Sequence, residues 1–241
     1  MKLIDSLEEI MKKKIVTIIV CLFMVLTLSG CGKSDAQKAM ESAVETANKL
    51  IEKKEKPFDP KTKTQLVEAI SASKKAKDDQ SYKKVTKTVK TATKAYKDSI
   101  QQLKQITKPS ESFLLERAKT VKTITKAEAA TEKTDANKLM NKAGEYYAYI
   151  ALRSSLVKDE TLNGQSPVEA GTDGGAVIEA FKSVKDAKAR NKYLSAFDGS
   201  GAFSPGSHKV VGTLIVRTSN QLTASEQKTL ENDIIQALIK L

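Results

Sequence analysis

Side chains able to do acid–base, nucleophilic or metal chemistry are few in this 241-residue chain, which has one histidine, His208, and two cysteines, Cys21 and Cys31. A Ser-His-Asp triad would have to use His208, and no Gly-x-Ser-x-Gly turn presents a serine to it. His208 therefore reads as a loop residue beside a strand. Gly201-Ala-Phe-Ser-Pro-Gly206 has the opening of a phosphate-binding loop, but Ser207 and His208 stand where Lys and Ser/Thr belong, and a strand is expected to follow in place of a helix. Asp198-Gly-Ser-Gly lacks the further acidic ligands and closing glutamate of a calcium loop. No catalytic residue, cofactor or metal site is expected, and the chain reads as a non-enzyme. Asp186, Arg190 and Arg217 are expected to form an ion-pair network in the C-terminal core.

The cysteine with a readable chemistry is Cys31. Ile15 to Leu28 is an apolar run of fourteen residues preceded by Lys12, Lys13 and Lys14. About 20 apolar residues are needed to cross a bilayer, so this run fits the hydrophobic region of a secretory signal instead. Leu28-Ser29-Gly30-Cys31 closes it and resembles the lipobox of bacterial lipoproteins. That resemblance implies a signal peptide over 1–30, cleavage after Gly30, and a diacylglyceryl thioether on Cys31, with fatty acylation such as palmitate at the new amino terminus. It places the mature chain on the extracytoplasmic face of the bacterial cell membrane, held by a short tether over 31–35. Two acyl chains anchor stably, at about 0.8 kcal/mol per buried CH₂. Met11 begins a more typical signal than Met1, so translation is expected from either. Cleavage removes Cys21 and lipidation consumes Cys31, leaving no thiol for disulfide, nucleophile or metal.

Charge is distributed unevenly. The whole chain carries 41 Lys+Arg against 29 Asp+Glu. Residues 33–160 hold 28 basic and 18 acidic side chains, residues 161–241 hold 9 and 8. Such an asymmetry separates two regions with different tasks. Within the basic region, Lys83, Lys87, Lys90, Lys94, Lys97 and Lys104 recur at three-and-four spacing. On a helix they share one face and repel by a few tenths of a kcal/mol per pair. They form a candidate face for anionic polymers, and equally a merely solvated face.

The elements that must carry these residues follow from apolar spacing. Met40, Ala43, Val44, Ala47, Leu50 and Ile51 stripe one helix, which Pro57 and Pro60 end; Leu66 and Ile70 belong to a second. Tyr82, Val85, Val89, Ala92, Tyr96, Ile100, Leu103 and Ile106 stripe a third of about seven turns, stopped by Pro109. Further helices are expected over 110–131 and from 135 to 152, the latter with Leu139, Met140, Ala143, Tyr146, Tyr147, Ile150 and Leu152 inward. Tyr146 and Tyr149 would serve as core or as a ligand platform. Beyond the Asn-Gly, Ser-Pro and Gly-Gly punctuation of 161–175, a helix is expected from Asp173 to Phe197, burying Val177, Ile178, Phe181, Val184, Leu194 and Phe197. Lys209 to Thr218 reads as one strand, Ser166 to Ala170 as a weaker strand candidate, and Thr223-Ala-Ser-Glu226 as the capping box of a last helix.

The expected fold is mainly α: an elongated N-terminal helical bundle or coiled-coil hairpin over 36–158, then a small helix-rich α+β module over 161–241. The expected function is a non-enzymatic envelope binding or scaffold role. Partners would be the membrane through the lipid anchor and teichoic acid, anionic phospholipid or an envelope protein; cytoplasmic nucleic acid is not expected. Alternatives are an exclusion lipoprotein of a phage or conjugative element and a hydrolase activity in the C-terminal module.

Overall fold

The computed structural model describes residues 32–201 and 204–241. The leader and Cys31, with the lipidation expected there, lie outside the described residues. Three amphipathic helices come first: α1 (Asp35–Glu52), α2 (Lys61–Ser73) and α3 (Asp79–Gln105). Each start has a local cause. Ser34 caps α1 by accepting from the Gln37 N–H, and Asp78 and Ser81 satisfy each other's backbone N–H groups at the start of α3. Ala47, Ile51, Leu66, Ile70, Val89, Tyr96 and Ile100 close on one another as an apolar core belonging to these helices. Ser34 at the start of α1 bonds Asp79 at the start of α3. At the other end the Tyr96 hydroxyl donates to the Glu55 carbonyl at 2.8 Å, and the Phe58 N–H donates to the Ser99 carbonyl at 2.9 Å. Helices α1 and α3 therefore run parallel, with α2 returning between their ends.

The remainder is a five-stranded antiparallel sheet covered on both faces. Its strands are β1 (Ile124–Ala129), β2 (Ala148–Ser154), β3 (Gly175–Ala180), β4 (His208–Val211) and β5 (Leu214–Thr218), in the order β1-β2-β3-β5-β4. Helix α4 (Glu111–Ala118) precedes β1; α5 (Pro167–Ala170) and α6 (Val184–Ser195) flank β3; α7 (Ala224–Ile239) ends the chain. One face buries Ile150, Leu152, Ile178, Leu214 and Val216 under α4, α7 and the end of α3. The other buries Tyr146, Tyr149, Val177, Phe181 and Ile215 with Ala187 and Leu194 of α6.

This architecture overturns the expected one. The chain is an α+β protein with an extensive sheet, and the N-terminal coiled-coil bundle over 36–158 does not form. The helical run stops at Ala118, and the segments expected as helices over 110–131 and 135–152 supply β1 and β2 instead. The expected helix from Asp173 is β3 followed by α6, so Val184 and Phe197 are exposed rather than inward. The single strand expected over 209–218 is the β4–β5 hairpin, and the strand candidate at Ser166–Ala170 is α5 with a Ser166–Glu169 capping box. The physical reason is shared. A strand buried on both faces shows no alternation of polar and apolar residues. Tyr146 and Ile150, four apart like neighbours on a helix, in fact enter opposite cores.

The end of α3 and the sheet meet at a tight joint. The two-residue turn Gly212-Thr213 sits on the C-terminus of α3, where Thr213 N–H donates to the Ile106 carbonyl at 3.0 Å and Thr213 Oγ1 accepts from the Lys108 N–H at 2.8 Å. Gly212 has φ +62°, and a Cβ there would stand 2.3 Å from the Ile106 carbonyl oxygen. Only glycine meets both demands. The 27 residues of α3 span about 40 Å at 1.5 Å per residue, so the start of α1 lies about that far from this joint.

Candidate functional site

Two places combine surface access with unusual charge. The first is on the sheet face beneath α6. Glu179, next to the C-terminal end of β3, has no exposed surface. Arg190 of α6 grips it through Nε at 3.1 Å and Nη2 at 3.2 Å, and Arg217 of β5 adds Nη1 at 2.9 Å. Two guanidinium groups share one carboxylate, which leaves one positive charge uncompensated inside the cluster. Among the described residues Arg217 has no other acceptor, and its buried Nε has none at all. Burial works against the charge of Arg190, and the Glu179 carboxylate nonetheless holds its pKa above the ordinary value.

Arg217 reaches a cavity of about 300 Å³, lined also by Asp135, Asn137, Tyr149, Thr172, Asp173 and Asn220. Burial, reinforced by the nearby Glu179 charge, pushes the Tyr149 hydroxyl up to about 12, with Arg217 and a hydrogen bond from Thr172 opposing. Asp135 forms part of the wall. Burial raises its pKa, but hydrogen bonds from the Tyr146 hydroxyl and the backbone N–H groups of Met140, Leu139 and Asn137 outweigh it, and the carboxyl is held below its ordinary value. The Tyr146 hydroxyl is driven upward by the same burial and by its bond to Asp135.

The second place is the lysine stripe of α3. Lys83, Lys87, Lys90, Lys94, Lys97 and Lys104 are all exposed. Lys94 pairs with Asp98, and Lys104 pairs with Glu55 at 2.6 Å. Among the described residues the other four enter no ion pair. Lys83, Lys87 and Lys90 line a groove of about 360 Å³ whose opposite wall is Ala36 and Ala39 of α1. The groove therefore has an apolar floor and a basic rim, close to the first described residues.

Other expected sites fall differently. Arg190 and Arg217 do share an ion-pair network, but its carboxylate is Glu179; Asp186 instead binds Ser183 Oγ at 2.6 Å at the start of α6. Glu179 was missed because a lone acid in a supposed helix looks solvated, and no sequence signal marks it as a strand interior. His208 opens β4, with its ring nearly buried between Asn191 Oδ1 at 2.9 Å and Asp198 Oδ1 at 3.0 Å. Tyr146 and Tyr149 have ring centroids 5.6 Å apart, and Tyr146 meets Phe181 edge-on at 6.1 Å. Tyr146 is thus core, whereas Tyr149 is both core and cavity wall. Among the described residues no group of three His, Cys, Asp or Glu side chains is arranged to hold a metal ion, and no helix is long and apolar enough to cross a membrane. No family model, curated protein or solved structure matches this chain.

Proposed function

We propose that the protein is a lipid-anchored, extracytoplasmic binding or scaffold lipoprotein, without enzymatic activity, whose basic helical face engages anionic envelope polymers or phospholipid headgroups. The lipobox-like Leu28-Ser29-Gly30-Cys31 supports the anchor. The observation that carries the binding reading is the set of four exposed lysines, Lys83, Lys87, Lys90 and Lys97, on one stripe of α3 and outside every ion pair of the described residues. Unneutralised like charges at helical spacing are destabilising, and an anionic surface would relieve that repulsion.

The geometry gives the reading an orientation. Ala36 follows Cys31 by five positions, so an anchor at Cys31 would set the groove of Lys83, Lys87 and Lys90 against the headgroup layer. Helix α3 would then hold the sheet about 40 Å farther out. Each lysine near an anionic leaflet contributes about 1 kcal/mol, falling off within a Debye length of about 8–10 Å.

The test is a salt titration of the protein against vesicles of phosphatidylglycerol in phosphatidylcholine, and against lipoteichoic acid. Affinity should fall steeply with salt and drop when Lys83, Lys87, Lys90 and Lys97 are changed together to Gln. Binding that ignores salt, or that survives the fourfold change, rules the basic face out. Intact-mass analysis of the membrane fraction tests the anchor separately; a retained leader with no added lipid rules it out.

A further inference from the structure

The cavity beside Arg217 has a chemistry of its own, independent of the lysine stripe and of the anchor. Its floor presents a guanidinium from a cluster holding two arginines and one carboxylate. A buried charge is costly unless paired, and within the described residues Arg217 finds only the shared Glu179. A second carboxylate would complete it, because a planar guanidinium meets two carboxylate oxygens in parallel.

The acidic groups around the cavity are not equivalent. Asp135 is saturated: Oδ1 accepts from the Tyr146 hydroxyl at 2.7 Å and the Asn137 N–H at 3.1 Å, and Oδ2 accepts from the Leu139 and Met140 N–H groups at 2.8 and 2.9 Å. Glu169 is occupied in its capping box, accepting from the Ser166 N–H at 2.7 Å. Asp173 is exposed and has no ion pair or hydrogen bond among the described residues. The cavity therefore offers one cation that shares its carboxylate with a second arginine and, at the wall, one exposed carboxylate with no partner among the described residues, with Thr172, Asn220 and Tyr149 as neutral polar neighbours. A simple anion would be repelled by Asp173 and a simple cation by Arg217. At about 300 Å³ the space is at the small end for ligand pockets.

We propose that this cavity binds a small zwitterion of the α-amino acid class, its carboxylate on Arg217 and its ammonium on Asp173. The experiment uses the full-length protein, with each of the twenty amino acids as probe, and acetate and methylamine as single-charge comparisons. Thermal shift and titration calorimetry provide the readouts, since a ligand that binds only the folded state raises the midpoint with concentration. At least one amino acid should bind, and more tightly than acetate or methylamine. Arg217→Met should weaken it by about tenfold or more, the loss of a charge-assisted hydrogen bond, while Arg190 continues to hold Glu179 from two nitrogens. Asp173→Asn should weaken the amino acid without weakening acetate. Ala136→Trp, at an exposed position of the cavity wall, should abolish binding with the fold intact, and serves if Arg217→Met does not fold. Binding by none of the twenty, acetate matching the best of them, or undiminished affinity in Ala136→Trp overturns the assignment.

Discussion

Glu179 and Arg217 lie 38 residues apart in the chain and meet at 2.9 Å on adjacent strands, with the carboxylate wholly buried. Removing one member of a buried charged group costs about 3–5 kcal/mol, because the partners remain charged and out of water. Glu179→Gln, which keeps the shape, should therefore lower the urea midpoint by that equivalent at an unchanged m-value. Asp186→Ala should cost only about 1 kcal/mol, the scale of a helix-start contact. Equal losses for the two would show that Glu179 is not the centre of the network.

Asp135 makes stability depend on acid. Its folded-state pKa lies below the ordinary carboxylate value, so its contribution is complete above the unfolded value of about 4 and is lost as pH falls through the folded value. Asp135→Asn removes that dependence. Denaturation followed from pH 7 down to about pH 2 should show a shallower acid limb in the variant. Parallel acid limbs would assign the acid sensitivity to other carboxylates.

Gly212 is the tightest point of the joint between α3 and the β4–β5 hairpin. Gly212→Ala places a Cβ 2.3 Å from the Ile106 carbonyl oxygen at φ +62°, and should destabilise by about 2 kcal/mol or more. The loss should include faster amide exchange at Thr213 and Lys108, whose N–H groups bond across this joint. Protection there equal to wild type would show that the turn relaxes without opening the joint.

The lysine stripe predicts an increase. Lys87→Gln and Lys90→Gln remove like-charge neighbours at helical spacing and should each raise stability by about 0.2–0.5 kcal/mol at low salt. The gain should shrink as salt screens the wild-type repulsion. A gain unchanged by salt would show that helix propensity, not charge, is its source.

Much of the helical part was legible in the sequence. Helix α1, the long α3 and the terminal α7 follow from apolar residues at three-and-four spacing, the last beneath the Thr223–Glu226 capping box, whereas Ser34 and Asp78 emerged as caps only in the structure. Each has one wet face, so its periodicity survives in the one-dimensional pattern. Strands β2, β3 and β5 have no wet face, and Ala148 to Leu152 or Ala176 to Ile178 read as generic apolar runs.

The sequence by itself determined the poverty of thiols and histidine, the basic asymmetry, the lysine register on α3, the apolar stripes of its long helices and the capping box at Thr223, because these depend on composition and local spacing alone. The tertiary structure decided that Arg190 and Arg217 share Glu179 and not Asp186, that Tyr149, Asp173 and Arg217 wall one cavity, and that Gly212 must be glycine. Those relationships join residues tens of positions apart through strand pairing. Pairing register follows from which face each strand buries, and that is settled only when both covering layers are in place.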